Sequence, residues 1–234
     1  MTKRGNPYFR GDIIVFCSQS LGGAHGAPIS EYSLRERTDM SAIHCASTEM
    51  PDQNWSAVRD FIYPFGGCLH PMIERMRDRG LNPAVIHLNY SGSHSNSWYA
   101  NRVAYAAWAV ARLADLDAPN VRAIVTKQGE ADAAVGPNGG DTWQNNWTAV
   151  IATLRGALAL PVLPVVVGMV NDNYYPPNFD CPFLASTRAS QEAFIAADGH
   201  AIGVYLNGQT YVDGIHEDYT SATRTGRALA NAIS

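Results

Sequence analysis

Five short apolar runs recur along this chain with helical patterns between them, and that alternation leaves few folds open. The runs are Ile13 to Cys17, Ala84 to Leu88, Val121 to Thr126, Val162 to Val170 and Ala201 to Leu206. The first, Ile-Ile-Val-Phe-Cys, lacks polar alternation, as expected for a strand buried on both faces. Pro164 predicts an irregular or edge-like start to the fourth run. Helices are predicted over about 71–79, 98–116, 141–159, 185–197 and 221–233. Gly80 and Asn82-Pro83 stop the first of these. Ser97 or Asn96 caps the second, whose apolar stripe is Val103, Ala107, Val110 and Leu113 or Ala114. Asp141 caps the third, which carries Trp143, Trp147, Val150, Ile151 and Leu154. Strands and helices in this order predict an α/β fold of three layers, with a mostly parallel five-stranded sheet between two helical layers.

Residues 22–70 break the pattern. They are rich in Gly, Ser, Pro and His, and they read as a long irregular insertion holding at most short helices. Insertions of that length inside a domain are usually functional. Neither an internal repeat nor a compositional boundary divides the 234 residues, which read as a single domain.

Composition removes several function classes. The formal net charge is -4, which leaves no basic footprint for nucleic acid. The basic residues Arg75, Arg77 and Arg79 alternate with acids, as on a solvated helix face. No apolar stretch approaches the length of a bilayer span. The chain enters its first strand without an apolar leader, so the expectation is a cytoplasmic location or a place in a virion or larger assembly. Cys17, Cys45, Cys68 and Cys181 form no tight pair and read as reduced, buried thiols. His44-Cys45 and Cys68-x-His70 lack zinc-ligand spacing, so neither a metal nor a cofactor is expected. The sequons at Asn54, Asn89 and Asn146 carry no weight without a secretory signal.

Three segments carry chemistry. Cys17-Ser-Gln-Ser-Leu-Gly-Gly23 ends the first strand with a serine on a glycine-rich turn. Lys127-Gln-Gly-Glu-Ala-Asp-Ala133 ends the third strand with a neutral amide, and Asp213-Gly-Ile-His216 precedes the last helix. In a parallel sheet the carboxyl ends of the strands share one rim, where ligands bind. A serine hydroxyl becomes a nucleophile when a base takes its proton and an acid holds that base in the right tautomer. Ser20 is the preferred nucleophile and Ser18 its rival. His216 is the base, and Asp213, three residues earlier, orients its ring. Gln128 and the backbone amides of Ser20 and of Gly66 or Gly67 are the candidate oxyanion donors. Glu130 and Asp132 are expected to organise their loop and the helix after it. Tyr174 and Tyr175 are candidate sugar platforms, favoured over Trp98 and Trp143.

These segments resemble the conserved blocks of the SGNH hydrolases. Cys17-Ser-Gln-Ser-Leu is similar to the Gly-Gln-Ser-Asn block of that superfamily, and the branch it resembles is the sialate O-acetylesterase-like and acetylxylan-esterase-like carbohydrate esterases. Lys127-Gln-Gly-Glu-Ala-Asp-Ala resembles their Trp-x-Gln-Gly-Glu-Ser-Asp-Ala block. Asp213-Gly-Ile-His resembles the terminal Asp-Gly-x-His block, and Phe65-Gly-Gly-Cys-Leu-His-Pro-Met72 the glycine block. The resemblance implies a flavodoxin-like α/β/α fold, a Ser20–His216–Asp213 triad, oxyanion donors from Gly66 or Gly67 and Gln128, and deacetylation of an O-acetylated carbohydrate. Ser18 replaces the block's glycine, Leu21 its asparagine, and Thr126-Lys127 stand where a tryptophan is usual. Those departures motivate an alternative, an inactive glycan-binding module of the same fold. A lipase or thioesterase of the superfamily is a further alternative, disfavoured by polar, Asn-, Gly- and Tyr-rich loops. The sugar and the oligomeric state are not legible.

Overall fold

A computed structural model describes residues 11–18, 67–90, 92–116, 119–136, 142–172, 181–211 and 216–234, with the backbone alone of 44–47 and 56–57. In chain order the elements are β1 (Asp12–Ser18), β2 (His44–Ser47), β3 (Ser56–Ala57), α1 (Leu69–Asp78), β4 (Pro83–Asn89), α2 (Ser95–Leu113) and β5 (Asn120–Lys127). They continue with α3 (Glu130–Val135), α4 (Trp143–Leu158), β6 (Val165–Gly168), α5 (Leu184–Ala197), β7 (Ala201–Val204) and α6 (Tyr219–Ala232).

The strands form one sheet in the order β3-β2-β4-β1-β5-β6-β7. All neighbours are parallel except β3, which runs antiparallel to β2. The five expected strands are contiguous and form the parallel centre. The segment read as an irregular insertion supplies two further strands, β2 and β3, that extend one edge. They escaped sequence reading because they are only four and two residues long.

Alternation along each strand sorts the core into two halves. Ile14, Phe16, Val85, Ala123, Val125 and Val166 face α1 and α6. Ile13, Val15, Cys17, Ala84, Ile86, Ile124, Val165 and Val167 face the layer of α2, α4 and α5, where Trp98, Trp147 and Phe194 fill the space. Both faces are covered, so the strands read as unbroken apolar runs.

Two local expectations change. The stripe chosen for α2 points outward: Val103 is 65% exposed and Val110 37%. The buried side of that helix is Trp98, Ala106 and Ala109. Trp98 outweighs a row of small residues in setting the rotation, because it contributes far more apolar area. In α4 the cap is Thr142, whose hydroxyl accepts the Asn145 amide at 3.2 Å, one residue beyond the predicted Asp141.

Candidate active site

Four residues mark the carboxyl rim of the sheet in register. Ser18 pairs with Asn89 on one side and Lys127 on the other, and Lys127 pairs with Gly168. From β1 the chain proceeds to one side of the sheet, and it then crosses back to β5 on the other. That reversal opens the crevice in which such sheets bind ligands. Ser20, Asp213, Gly66, Tyr174 and Tyr175 lie outside the described residues. Within them, Gly67 is buried just ahead of α1, His216 is half-buried between β7 and α6, and Gln128 follows β5.

Ser18 is fully buried. Its Oγ donates to Asn89 Oδ1 at 3.0 Å and lies 2.7 Å from His87 Nε2. A hydroxyl has one proton, so with that proton on Asn89 the His87 Nε2–H must be the donor to Ser18. Burial, with His70 adding to it, depresses His87 to about 3 and keeps the ring neutral. Here is a second serine–histidine pair, but it faces no solvent. The ring stacks on Phe16 with centroids 5.4 Å apart. Ser18 is therefore a structural hydroxyl, which removes the rival nucleophile.

Gln128 is also fully buried. Its Nε2 donates to Ser93 O at 3.0 Å and Asp132 Oδ2 at 2.7 Å. Its Oε1 accepts the indole N–H of Trp143 at 2.7 Å and of Trp147 at 2.9 Å. Both amide protons are thus committed inside the protein, and the expected oxyanion role gives way to a cross-link between β5, α3 and α4. Asp132 continues the link, accepting from the Ser95 amide (3.0 and 3.1 Å) and hydroxyl (2.6 Å) at the start of α2. Burial raises the Asp132 carboxyl, and the Ser95 and Gln128 bonds counter this only in part. Between the two, Gly129 has φ 135°, and a Cβ there would stand 2.7 Å from Val170 Cγ2. Gln191 of α5 bonds the adjoining strand ends, donating to Gln128 O and accepting from the Val170 amide, both at 3.0 Å. Much of the Gln-Gly-Glu-Ala-Asp block is therefore scaffold, in accord with the expectation for Asp132.

The loop that carries His216 is tied at its neck. Tyr211 and Glu217 form an antiparallel bridge across it. The Asp218 amide donates to Thr210 O at 2.9 Å, and Thr210 Oγ1 donates to the Asp218 carboxylate. Asp218 also caps α6, accepting the Ser221 amide at 2.8 Å. A buried ion pair at the end of β5 escaped sequence reasoning. Lys127 ion-pairs with Glu130 in the interior. Burial alone would depress the Lys127 ammonium, but the charges of Glu130 and Glu217 outweigh it and hold it above the ordinary lysine value. Burial raises the Glu217 carboxyl, with Lys127 opposing. Tyr211 accepts from Asn171 Nδ2 at 2.7 Å, which adds the segment after β6. The available signal was a lysine closing an apolar strand, three residues before a glutamate.

Packing also joins α1 and α6. Gly226 of α6 lies against the first turn of α1, where a Cβ would stand 2.7 Å from Met72 N and 2.8 Å from Pro71 Cβ. That contact sets the spacing between α6 and the start of α1. Among the described residues no group of three His, Cys, Asp or Glu side chains is arranged to hold a metal ion. None of the described helices is long and apolar enough to cross a membrane.

Comparisons with known proteins agree with this fold. A family model described as carbohydrate esterase, sialic acid-specific acetylesterase, matches residues 70–234. No curated protein matches the chain. A solved protein from Arabidopsis thaliana is similar at TM-score 0.73 and 16% identity, over 96% of this chain and 98% of that one. A carbohydrate acetylesterase from Xanthomonas citri gives 0.62 and 16%, over 94% of this chain and 55% of that one. A carbohydrate esterase family 3 structure from Talaromyces cellulolyticus gives 0.58 and 11%, over 94% and 95%. At these identities the structures speak for the fold, which is that of the SGNH hydrolases.

Proposed function

Because this chain belongs to the carbohydrate esterase, sialic acid-specific acetylesterase family and is on that ground an esterase, we propose that it removes O-acetyl groups from a carbohydrate through a serine triad. In this reading Ser20 attacks the acetyl carbonyl carbon while His216 accepts the hydroxyl proton. Asp213 stabilises the imidazolium that forms. The tetrahedral oxyanion is held by the backbone amides of Ser20 and of Gly66 or Gly67. His216 then returns the proton to the departing sugar oxygen. Water, deprotonated by the same ring, hydrolyses the acetyl-enzyme to acetate.

One observation supports the reading: the strands that lead into two of the three chemical segments end side by side at the carboxyl rim of the sheet. β1 and β5 end side by side at Ser18 and Lys127. Tyr211 and Glu217 bridge on either side of the segment that carries His216, and Asn171 from the stretch after β6 donates to the Tyr211 hydroxyl. Gly67 leads into α1, which packs on the helix that follows His216.

Acetate release from acetylated oligosaccharides and aryl acetates tests the proposal. Ser20→Ala is expected to lower kcat at least about 1,000-fold with its thermal midpoint preserved. An unchanged kcat in that variant would end the assignment. Activity across acyl lengths separates a deacetylase, which favours acetate, from a lipase or thioesterase.

A further inference from the structure

The helical layers on the two faces of the sheet differ in charge. On one face α6 exposes Arg224 and Arg227, and α1 exposes Asp78. On the other, α2 and α4 lie side by side, with Asn146 of α4 donating to Ser95 Oγ at 3.0 Å. Every exposed position from Ser95 to Leu113 and from Trp143 to Leu158 is Ala, Gly, Val, Tyr, Asn or Thr. Surfaces of soluble domains ordinarily carry about a quarter charged residues. The cations that these two helices do contain are turned onto their own chain. Arg102 lies over the Tyr99 ring at 4.0 Å, Arg112 pairs with Asp115 at 3.4 Å, and Arg155 binds Leu163 O and Asp198. Tyr99, Val103 and Val110 stand on this uncharged face as exposed apolar side chains.

The pattern along α2 says what fits there. Ala100, Ala104, Ala107, Ala111 and Ala114 are all exposed and follow one another at intervals of four, three, four and three residues. That is the repeat of a seam between two packed helices. Alanine at each position lets the facing axis come close. The seam is also complementary to itself. Turned end over end about Ala107, it sets Ala100 against Ala114, Val103 against Ala111 and Val110 against Ala104, so each valine meets an alanine. In α4, Gly156 extends the face, and nothing lies within 4 Å of the Cβ that it lacks. A glycine weakens a helix relative to alanine, and no described neighbour gives a packing reason for this one.

We propose that α2 and α4 form the interface of a homodimer, with α2 packed antiparallel on α2 of a second copy across a two-fold axis at Ala107. The face is roughly 28 Å long and 20 Å wide, which offers about 1,100 Å² in the two copies together where specific interfaces begin near 1,000 Å². The chain carries a net charge of -4, and this neutral side is one that two copies can bring together without repulsion. A two-fold interface must be self-complementary, as this seam is. A lipid surface would instead select basic residues around the apolar ones, and neither helix exposes a Lys or Arg. Antiparallel packing of α2 turns the two sheets in opposite senses. The carboxyl rims then open at opposite ends of the dimer, and neither lies in the interface.

Sedimentation velocity of the wild type over a range of concentrations tests the proposal, and a species of twice the chain mass is expected at the upper end. Ala107→Glu sets two carboxylates against each other at the axis and should weaken the dimer about 100-fold or more, with an unchanged circular dichroism spectrum. Ala107→Cys should form an interchain disulfide on mild oxidation. Ala100→Cys should not, because its two thiols would lie about 21 Å apart along the paired helices. A wild type that stays monomeric throughout, or a dimer that Ala107→Glu leaves intact, would overturn the proposal. Equal cross-linking of the two cysteine variants would overturn it as well. If Ala107→Glu does not fold, the cysteine pair decides. Flotation with phosphatidylserine vesicles covers the other occupant: a monomer that floats, and ceases to in Ala107→Glu, would assign the face to lipid and end the dimer.

Discussion

Ser18 presents a hydroxyl at the end of β1 where a nucleophile would be useful, but its partners make it structural. Ser18→Ala removes its bonds to His87 and Asn89 and is expected to cost about 1–3 kcal/mol of stability. Esterase turnover per folded molecule should stay within about tenfold of wild type. Chemical denaturation and kinetics on one preparation check both halves. Gln128 yields a sharper contrast. Gln128→Leu strands two indole N–H groups, the Ser93 carbonyl and the Asp132 carboxylate, and should cost about 3 kcal/mol or more. For a chain of this size that lowers the thermal midpoint by roughly 6–12 °C. A normal midpoint with a collapsed kcat would return Gln128 to the oxyanion site. The sequence could not decide between these roles. A glutamine after a strand looks the same whether its amide faces substrate or a tryptophan, and only the folded partners distinguish the two.

At the scale of elements, the close approach of α6 to α1 depends on the missing side chain at Gly226. Gly226→Ala drives a methyl into the backbone of the first turn of α1 and should cost about 1–3 kcal/mol while lowering kcat. Unaltered stability and rate in that variant would show that the helices separate freely. The major strands and helices were legible because their signals are long and local, as in the Trp143-to-Leu154 face of α4. β2 and β3 were not legible, since strands this short exist by pairing with an established neighbour. The rotation of α2 was misread for a different reason. Small apolar residues tolerate water, so a stripe of valine and alanine sets a helix face less firmly than one tryptophan.

For the whole molecule, acid stability follows from a histidine outside the site. An ordinary histidine takes its proton near pH 6.5, but buried His87 does so only near pH 3. Between those values the unfolded chain binds more protons, so stability falls as pH drops through the window. The loss from this residue reaches about 2 kcal/mol by pH 5. Asp198, raised by burial but brought below its usual value by Arg155, adds a further loss at lower pH, where its carboxylate protonates. His87→Gln should flatten the decline between pH 6.5 and about 4, and a curve parallel to wild type would contradict the neutral-ring account. The three chemical blocks were legible as types of residue, and the pairing of the strands that lead into the first two followed from strand order. The burial of the Lys127–Glu130 ion pair was not, because whether a lysine closing a strand stays in solvent or turns inward is decided by what packs over the strand end.

The central claim, that a hydroxyl just past β1 is the nucleophile served by His216, is tested most directly by covalent labelling. The protein is treated with a serine-directed fluorophosphonate and the adduct is mapped by peptide mass spectrometry. A single adduct on Ser20, absent in Ser20→Ala and strongly slowed in His216→Ala, is the expected result. An adduct on Ser18, or active enzyme that takes no label, would contradict the account.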